Sequence, residues 1–263
     1  MRRTDGAMVT VVRRSQAGIL LLGLLALTAT ASLAADFSVS PMSLQFPQGT
    51  RSGEIQVRNL DQQAIRFQVR GVDWNQDDNG KNVYVDSQSL IWFPRAMELA
   101  PGESRIIRVG VKAAPASQER AYIVVLKEVV AESATTQPQG GAQVRLFLSV
   151  SVPVFIPPLK PRFGGSIESM ALRGGTLDFV IANSGNQHFS YRESSVVGVG
   201  ANGTEKYQQK VPRSTLLAGS RQRFEVKLPK EVCGQLREVM LTLITQEQTE
   251  IKQRLDVSRA DCE

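Results

Sequence analysis

The sequence predicts an all-β protein made of two immunoglobulin-like β-sandwich domains, and three observations support this fold class. Residues 35–156 contain short segments in which apolar and polar side chains alternate, as they do on half-buried strands. Clusters of turn-forming residues separate these segments at intervals of roughly 10–15 residues, which is typical of antiparallel sandwiches. The pattern resumes after the Pro- and Gly-rich stretch 157–165. We therefore expect one domain in 35–157 and another in 158–263.

About seven strands are expected in the first domain, because each segment alternates or is continuously apolar between turn signals. In chain order they are FSVSPMSLQF (interrupted at Pro41), GEIQVRNL, AIRFQVRGVDW, NVYVD, the second half of ELAPGESRIIRVGV, AYIVVLKEVV and QVRLFLSVSVPVFIPP. The run AYIVVLKEVV is almost entirely apolar, so we expect it to be covered on both faces. The second domain contributes TLDFVIANSGN, YRESSVVGVG, SRQRFEVKLP and EVMLTLIT.

The strand QVRLFLSVSVPVFIPP, residues 143–158, has an unusual pattern. Every even position from Val144 to Ile156 is aliphatic, whereas the odd positions mix arginine, serine and proline with Phe147 and Phe155. An edge strand with so much apolar surface invites pairing with another chain. Two explanations are open: a fully buried central strand, or a strand whose aliphatic side chains fill a groove in a partner protein.

The N-terminus resembles a secretory signal peptide in residues 1–34. Arg13 and Arg14 precede the apolar run AGILLLGLLALTA, and small residues at Ser32 and Ala34 suit cleavage after Ala34. The alternative is a membrane anchor, but the run is shorter than the ~20 residues that a span needs. We expect export to a periplasm or an extracellular space.

The sequence has only two cysteines, Cys233 and Cys262. In an exported chain an even number favours a disulfide. It would close a loop of about 30 residues and stabilise the fold by roughly 3–4 kcal/mol.

The composition and motifs favour neither an enzyme nor a nucleic-acid-binding protein. The net charge is +6, and half of it lies in residues 1–34, so the remaining chain is only mildly basic. His188 is the only histidine, and no nucleophile–base set can be assembled around it. We expect no catalytic residues, no metal and no cofactor.

The stretch NQDDNGKNVYVD, residues 75–86, partly matches a calcium-binding EF-hand loop. Asn75 at its first position and Asp86 at its twelfth depart from that pattern, and no helix flanks it. We favour a hairpin loop in which Asn79 and Gly80 supply the turn.

Several motifs together resemble the periplasmic chaperones of the chaperone–usher pathway, which assemble pili and fimbriae. They are FSVSPMSLQF, LAPGESRIIRVGV, RAYIVVLKEV before a polar loop, VRLFLSVSVPVFIPP, and IANSGNQHF in the second domain. The sequence is more similar to the divergent, archaic branch of this family. The resemblance implies two domains in a boomerang arrangement, with pilus or fimbrial subunits (pilins) and an outer-membrane usher as partners.

The resemblance also assigns a donor strand, which would complete a subunit that lacks its own last strand. It covers residues 144–152, and its apolar positions are Val144, Leu146, Leu148, Val150 and Val152. The first four would donate their side chains to the subunit. Because such an edge is adhesive, self-association in the free protein is a further expectation.

One part of the family's pattern is missing. Members of the family hold the subunit's C-terminal carboxylate with an arginine and a lysine, at positions where this chain has Ser43 and Pro153. We hypothesise that Arg95, beside Trp92, is the replacement cation, with Lys127 as the second candidate.

The main alternative function is a secreted adhesion or carbohydrate-binding module. Its stacking platform would be formed by Trp74, Trp92 or Tyr84. Aromatic residues make up only 6% of the chain, so this alternative ranks below the chaperone. A secreted hydrolase ranks lower still, because an acid–base pair is not apparent.

Overall fold

The structure is a computed structural model that describes residues 36–112, 116–129 and 147–263. The predicted signal peptide and donor-strand positions Val144 and Leu146 lie outside the described residues. Residues 35–263 belong to one compact unit. Within the described part of the chain, no helix has the length and apolar character needed to cross a bilayer.

Ten described strands form the first lobe of the molecule. They are β1 (Phe37–Ser40), β2 (Leu44–Gln45), β3 (Ser52–Asn59), β4 (Ile65–Gln76), β5 (Asn82–Asp86), β6 (Leu90–Phe93), β7 (Ala96–Leu99), β8 (Ser104–Val111), β9 (Arg120–Val129) and β10 (Ser149–Ile156). One sheet has the order β1-β3-β8-β6, and the facing sheet has the order β2-β10-β9-β4-β5 with β7 also paired to β4. All pairings are antiparallel except that of β10 with β2.

The first lobe confirms the predicted alternation. On β3, Ile55 and Val57 are fully buried between the sheets, whereas the polar residues that alternate with them, Glu54, Gln56 and Arg58, face solvent. On β9, Val124 and Leu126 lie in the core of the first lobe, while Ile123 packs in a separate cluster on the opposite face. The expectation that this apolar run is covered on both faces is thus confirmed.

Eight further strands form the second lobe. They are β11 (Gly165–Arg173), β12 (Thr176–Asn183), β13 (Phe189–Gly200), β14 (Glu205–Gln209), β15 (Thr215–Leu216), β16 (Arg221–Lys227), β17 (Leu236–Thr245) and β18 (Glu250–Asp256). One sheet is β11-β12-β16, and the other is β14-β13-β17-β18 with β15 paired to β13. A short helix, α1 (Lys230–Cys233), and a 3-10 turn (Arg259–Cys262) complete it.

The predicted disulfide is present. Cys233 at the end of α1 is bonded to Cys262 in the C-terminal 3-10 turn, with a Cα–Cα distance of 5.7 Å. Cys233 is buried in the core of the second lobe. The bond therefore ties the end of the chain to that core.

The predicted number of strands in the first lobe was too low. The sequence analysis counted about seven, whereas the structure has ten in its described residues. The difference arises because β2, β6 and β7 have only two to four residues each. Segments of that length are too short to show a periodic pattern.

The stretch 75–86 forms a hairpin, as predicted. It joins β4 to β5, with Gly80 at φ 76° and a hydrogen bond from the amide of Asp77 to the carbonyl of Lys81. Oδ1 of Asp77 accepts hydrogen bonds from the amides of Asn79 and Lys81. This carboxylate thus supports the turn, and no cluster suited to a metal ion occurs among the described residues.

The two lobes are joined by an apolar cluster and by hydrogen bonds. Val72, Trp74, Ile123 and Phe155 of the first lobe pack with Leu217 of the second. The side chain of Gln76 donates to the carbonyl of Thr215 (2.8 Å) and accepts from the amide of Leu217 (2.9 Å). The junction is therefore specified by both packing and polar contacts.

Candidate functional site

The candidate site is the partly unpaired edge of β10. This strand pairs with β9 along its whole length, from Ser149 to Ile156. On its other side, within the described residues, β2 pairs with it only at Val154 and Phe155. On that side, the backbone from Ser149 to Val152 consequently has no described strand paired with it. Such an edge can accept a strand from another chain.

A cavity of about 310 Å³ opens next to this edge, between β1 and β10. We call it the edge gap. It is lined by Phe37, Val39, Met42, Leu148 and Val150, together with Asp36 and Ser149. Three of these side chains, Phe37, Val39 and Val150, pack against the core of the first lobe. The sandwich is thus incompletely closed between β1, the end strand of one sheet, and the part of β10 that β2 does not cover, and the opening is largely apolar.

The described residues of the predicted donor strand become more buried from Leu148, which precedes β10, to Val152 within it. Leu148 is 38% exposed, Val150 is partly buried, and Val152 is fully buried in the core of the first lobe. Leu148 and Val150 also line the edge gap. The apolar surface available to a partner therefore lies at the N-terminal end of the strand.

The other face of β10 explains part of the uneven pattern in the sequence. Ser149 and Ser151 are exposed, as expected on a solvent-facing side. Phe155 is only 4% exposed, because it packs against Trp74 and stacks on His188 at the junction between the lobes. A large apolar residue on the polar face thus marks the point at which the strand meets the second lobe.

The two candidate anchor cations, Arg95 and Lys127, line one cavity of about 850 Å³. Arg70 and Lys112 line it as well, and we call it the basic groove. Asp86 is the carboxylate in this lining, and Nε of Arg70 donates to its Oδ1 at 2.6 Å. This hydrogen bond lowers the pKa of Asp86 below its ordinary value, so the pair stays ionised at neutral pH.

Arg95 is positioned by an aromatic contact. Its guanidinium lies 4.6 Å from the centre of the Trp92 ring, a cation–π geometry. The indole of Trp92 is fixed in turn, because its Nε1 donates to the carbonyl of Val69 at 3.0 Å. Arg95 itself is exposed, so its charge is available to a ligand. Ser43 is exposed between β1 and β2, and Pro153 is half-buried on β10.

The aromatic platform of the alternative function is not present as a surface. Trp74 and Trp92 are each only 8% exposed, and both serve packing roles. Tyr84 on β5 is 52% exposed. A carbohydrate platform of stacked aromatics is therefore not formed by these residues.

Sequence reasoning missed the polar contacts that join the lobes. Oε2 of Glu119 accepts hydrogen bonds from Nδ1 (2.6 Å) and the backbone amide (2.7 Å) of His188. The sequence showed Phe155 as an apolar residue on the otherwise polar face of its strand, but this pattern alone did not identify His188 as the residue it stacks on. Glu119 had no signal of its own in the sequence.

Residues 36–161 match the model of the pili and flagellar-assembly chaperones, PapD N-terminal domain. This match confirms the resemblance for the first lobe. The family is one of chaperones, a class that is not enzymatic. No curated protein matches the sequence.

Solved structures show that the likeness in fold extends beyond the first lobe. The YadV chaperone superposes with a TM-score of 0.56 at 10% identity, over 84% of this chain and 100% of that one. A Salmonella enterica complex of the SafA pilin with the SafB chaperone superposes with a TM-score of 0.52 at 12% identity, over 86% of this chain and 99% of that one.

The archaic chaperone–usher system of Acinetobacter baumannii provides a further match. Its CsuC–CsuE complex of a chaperone and a tip adhesion subunit gives a TM-score of 0.51 at 16% identity, over 73% of this chain and 91% of that one. These matches establish the two-domain immunoglobulin-like fold of pilus-assembly chaperones.

Proposed function

We propose that this protein is a periplasmic chaperone that binds pilus or fimbrial subunits by donor-strand complementation and delivers them to an outer-membrane usher. The observation that carries the proposal is the unpaired edge of β10 beside the apolar edge gap. A subunit that lacks its last strand could pair with this edge through backbone hydrogen bonds. Its exposed core would then receive the aliphatic side chains of the donor strand.

Four donated side chains would supply a useful free energy. In this proposal they are Val144, Leu146, Leu148 and Val150, while Val152 anchors the strand in its own core. Burying each aliphatic side chain contributes ~1.5–3 kcal/mol, so four give about 6–12 kcal/mol before ordering costs. That range is comparable with the whole stability of a small domain, about 5–15 kcal/mol.

The compartment and partners of the proposal have separate support. Residues 1–34 have the features of a signal peptide, and the disulfide between Cys233 and Cys262 suits an oxidising compartment. Two of the similar structures are complexes, one with a pilin and one with a tip adhesion subunit. Delivery to an usher follows from the pathway to which such chaperones belong.

The basic groove is the proposed place for the subunit's C-terminal carboxylate. Arg95 and Lys127 line the same cavity, and Lys127 pairs with Ser149 across β9 and β10. A carboxylate bound there would lie near the start of β10. Charge-assisted hydrogen bonds of this kind would set the register of the subunit on the strand.

Self-association is proposed for the free chaperone, because the edge of β10 stays adhesive until a subunit covers it. A second copy would cover the edge gap and the strand edge together. Light scattering at increasing concentration should then show a dimer that dissociates when a subunit is added. A protein that stays monomeric at high concentration contradicts this part of the proposal.

Co-expression with a candidate pilus subunit tests the main proposal. The subunit should accumulate in the periplasm only when the chaperone is present. Leu148→Asp should abolish that rescue, whereas Ser151→Asp, which adds the same charge at an exposed position of β10 that does not line the edge gap, should retain it. If both variants are folded and rescue equally well, the edge of β10 does not carry the function.

A further inference from the structure

The C-terminal end of β10 contacts His188, the only histidine of the chain. The rings of Phe155 and His188 are stacked, with 3.6 Å between their centroids and an interplanar angle of 10°. Phe155 belongs to β10, and His188 directly precedes β13 of the second lobe. The stack therefore connects the strand that forms the site to the other lobe.

The orientation of the His188 ring is fixed by Glu119 of the first lobe. The side chain of Glu119 is 2% exposed, and its Oε2 accepts from both the Nδ1 and the backbone amide of His188. Nδ1 must carry a proton to donate to a carboxylate. The amide of Glu119 donates to the carbonyl of Asn186 at 2.8 Å, which adds a second connection beside the first.

These contacts meet at the same end of the two strands that form the site. Glu119 immediately precedes β9, whose first residue, Arg120, is paired with Ile156, the last residue of β10. Phe155 is the neighbouring position on β10. His188 thus contacts β10 and the residue that immediately precedes β9, at the end opposite the edge gap.

We propose that His188 is a positioning residue for subunit capture, which holds the β9–β10 pair in one orientation relative to the second lobe. This inference rests on the proposed chaperone function. The edge from Ser149 to Val152 has a described strand on one side only, so its direction depends on how its far end is held. A subunit must contact this edge in register, and a loosely held strand would release it sooner.

The test must separate the ring stack from the charge of Glu119. Oε1 of Glu119 has no hydrogen-bond partner among the described residues, so removing His188 alone would leave a buried carboxylate without its counterpart. Glu119→Gln avoids this cost and keeps an oxygen that accepts from the backbone amide of residue 188. In this background, His188→Phe retains a stacking ring and His188→Ala removes it.

The two double variants should differ in subunit release but not in overall folding. Aromatic stacking of this kind corresponds to a change of about threefold to tenfold in rate. We expect E119Q/H188A to release a bound subunit that much faster than E119Q/H188F. Gln118→Ala is the control, since it removes a hydrogen bond between the lobes, to the carbonyl of Ala218, without touching β10. Its release rate should match that of the wild type.

A measurement on the free protein keeps this inference separate from the proposed function. Amide hydrogen exchange of β10 should be faster in E119Q/H188A than in E119Q/H188F. Equal exchange and equal release in the two variants overturn the positioning role. If the wild type binds no pilus subunit at all, the proposed chaperone function is wrong. Faster exchange of β10 in E119Q/H188A would then show only that His188 stabilises the contact between the lobes, and the role in subunit capture is rejected as well.

Discussion

Asn59 and Asn183 form the same hydrogen-bonded corner in the two lobes. Each is buried at the end of a strand, and its Nδ2 donates to the carbonyl four residues further on, at 2.7 Å and 2.8 Å respectively. In both, Oδ1 accepts from the amide two residues further on. Each Nδ2 also donates to a carbonyl from a distant part of the same lobe. Equivalent corners therefore close the two sandwiches.

Substituting either asparagine with alanine should destabilise its lobe. The change leaves buried backbone groups without partners, at a cost of about 1–3 kcal/mol each. Denaturant unfolding of Asn59→Ala and Asn183→Ala would measure it. Asn75→Ala, on an exposed position of β4, is the control and should change the free energy of unfolding little. Equal stability of all three variants would show that the corners are not structural.

Gly80→Ala should weaken the junction between the lobes. An added Cβ would lie 2.5 Å from the carbonyl oxygen of Arg221 in the second lobe, and φ at Gly80 is also positive. Gly102 has a similar φ of 74° but no atom within 4 Å of an added Cβ, so Gly102→Ala isolates the backbone cost of about 1–2 kcal/mol.

The two glycine variants can be compared by thermal unfolding and by limited proteolysis of the connection 157–164. We expect Gly80→Ala to unfold at a lower temperature than Gly102→Ala and to be cleaved faster. Equal unfolding temperatures and equal cleavage rates in the two variants would mean that the hairpin tip at Gly80 is not in close contact with the second lobe.

Removing the disulfide should destabilise the second lobe. The cysteines are 29 residues apart, and a bond that closes such a loop contributes about 3–4 kcal/mol. Chemical denaturation of C233A/C262A should show a free energy of unfolding that is lower by this amount. Wild-type protein in reductant should also be less stable than the oxidised wild type. Reductant should have no effect on the double variant. An unchanged midpoint in C233A/C262A contradicts the prediction.

Neutralising the proposed anchor cations should weaken subunit binding. Arg95→Gln and Lys127→Gln each remove a charge from the basic groove, and a lost charge-assisted hydrogen bond costs about 1.5–3 kcal/mol, or roughly 10- to 100-fold in Kd. Arg108→Gln is the control, because Arg108 is 80% exposed on β8 of the other sheet. Calorimetry would measure the affinity of each variant for the subunit. If Arg95→Gln and Lys127→Gln bind the subunit as tightly as Arg108→Gln does, these two residues are not the anchor.

The sequence was sufficient for those features that depend on periodicity or on local turn chemistry. Alternation along β3 and β4 predicted their buried faces, and Asn79-Gly80 predicted the hairpin. The pattern of β10 marked it as unusual before any fold was known. Its positions Val144 and Leu146 lie outside the described residues, so their role stays a prediction.

The contacts between the lobes could not be predicted in the same way. Glu119 and His188 are 69 residues apart, and neither belongs to a recognisable motif. Whether two such side chains meet depends on how one sandwich rests on the other, which no local pattern specifies. For the same reason the sequence proposed Arg95 and Lys127 separately, and only the fold places them on one cavity.

Amide hydrogen exchange of residues 149–152, with and without a purified pilus subunit, tests the central claim most directly. The account predicts that the amides of this segment that point away from β9, those of Ser149 and Ser151, exchange rapidly in a monomeric free chaperone and become protected when the subunit binds, whereas the amides that point toward β9 are already protected. Strand β5, an end strand of the same sheet, serves as an internal control and should not change. A subunit that binds tightly while the amides of Ser149 and Ser151 remain unprotected would contradict the assignment of β10 as the donor strand.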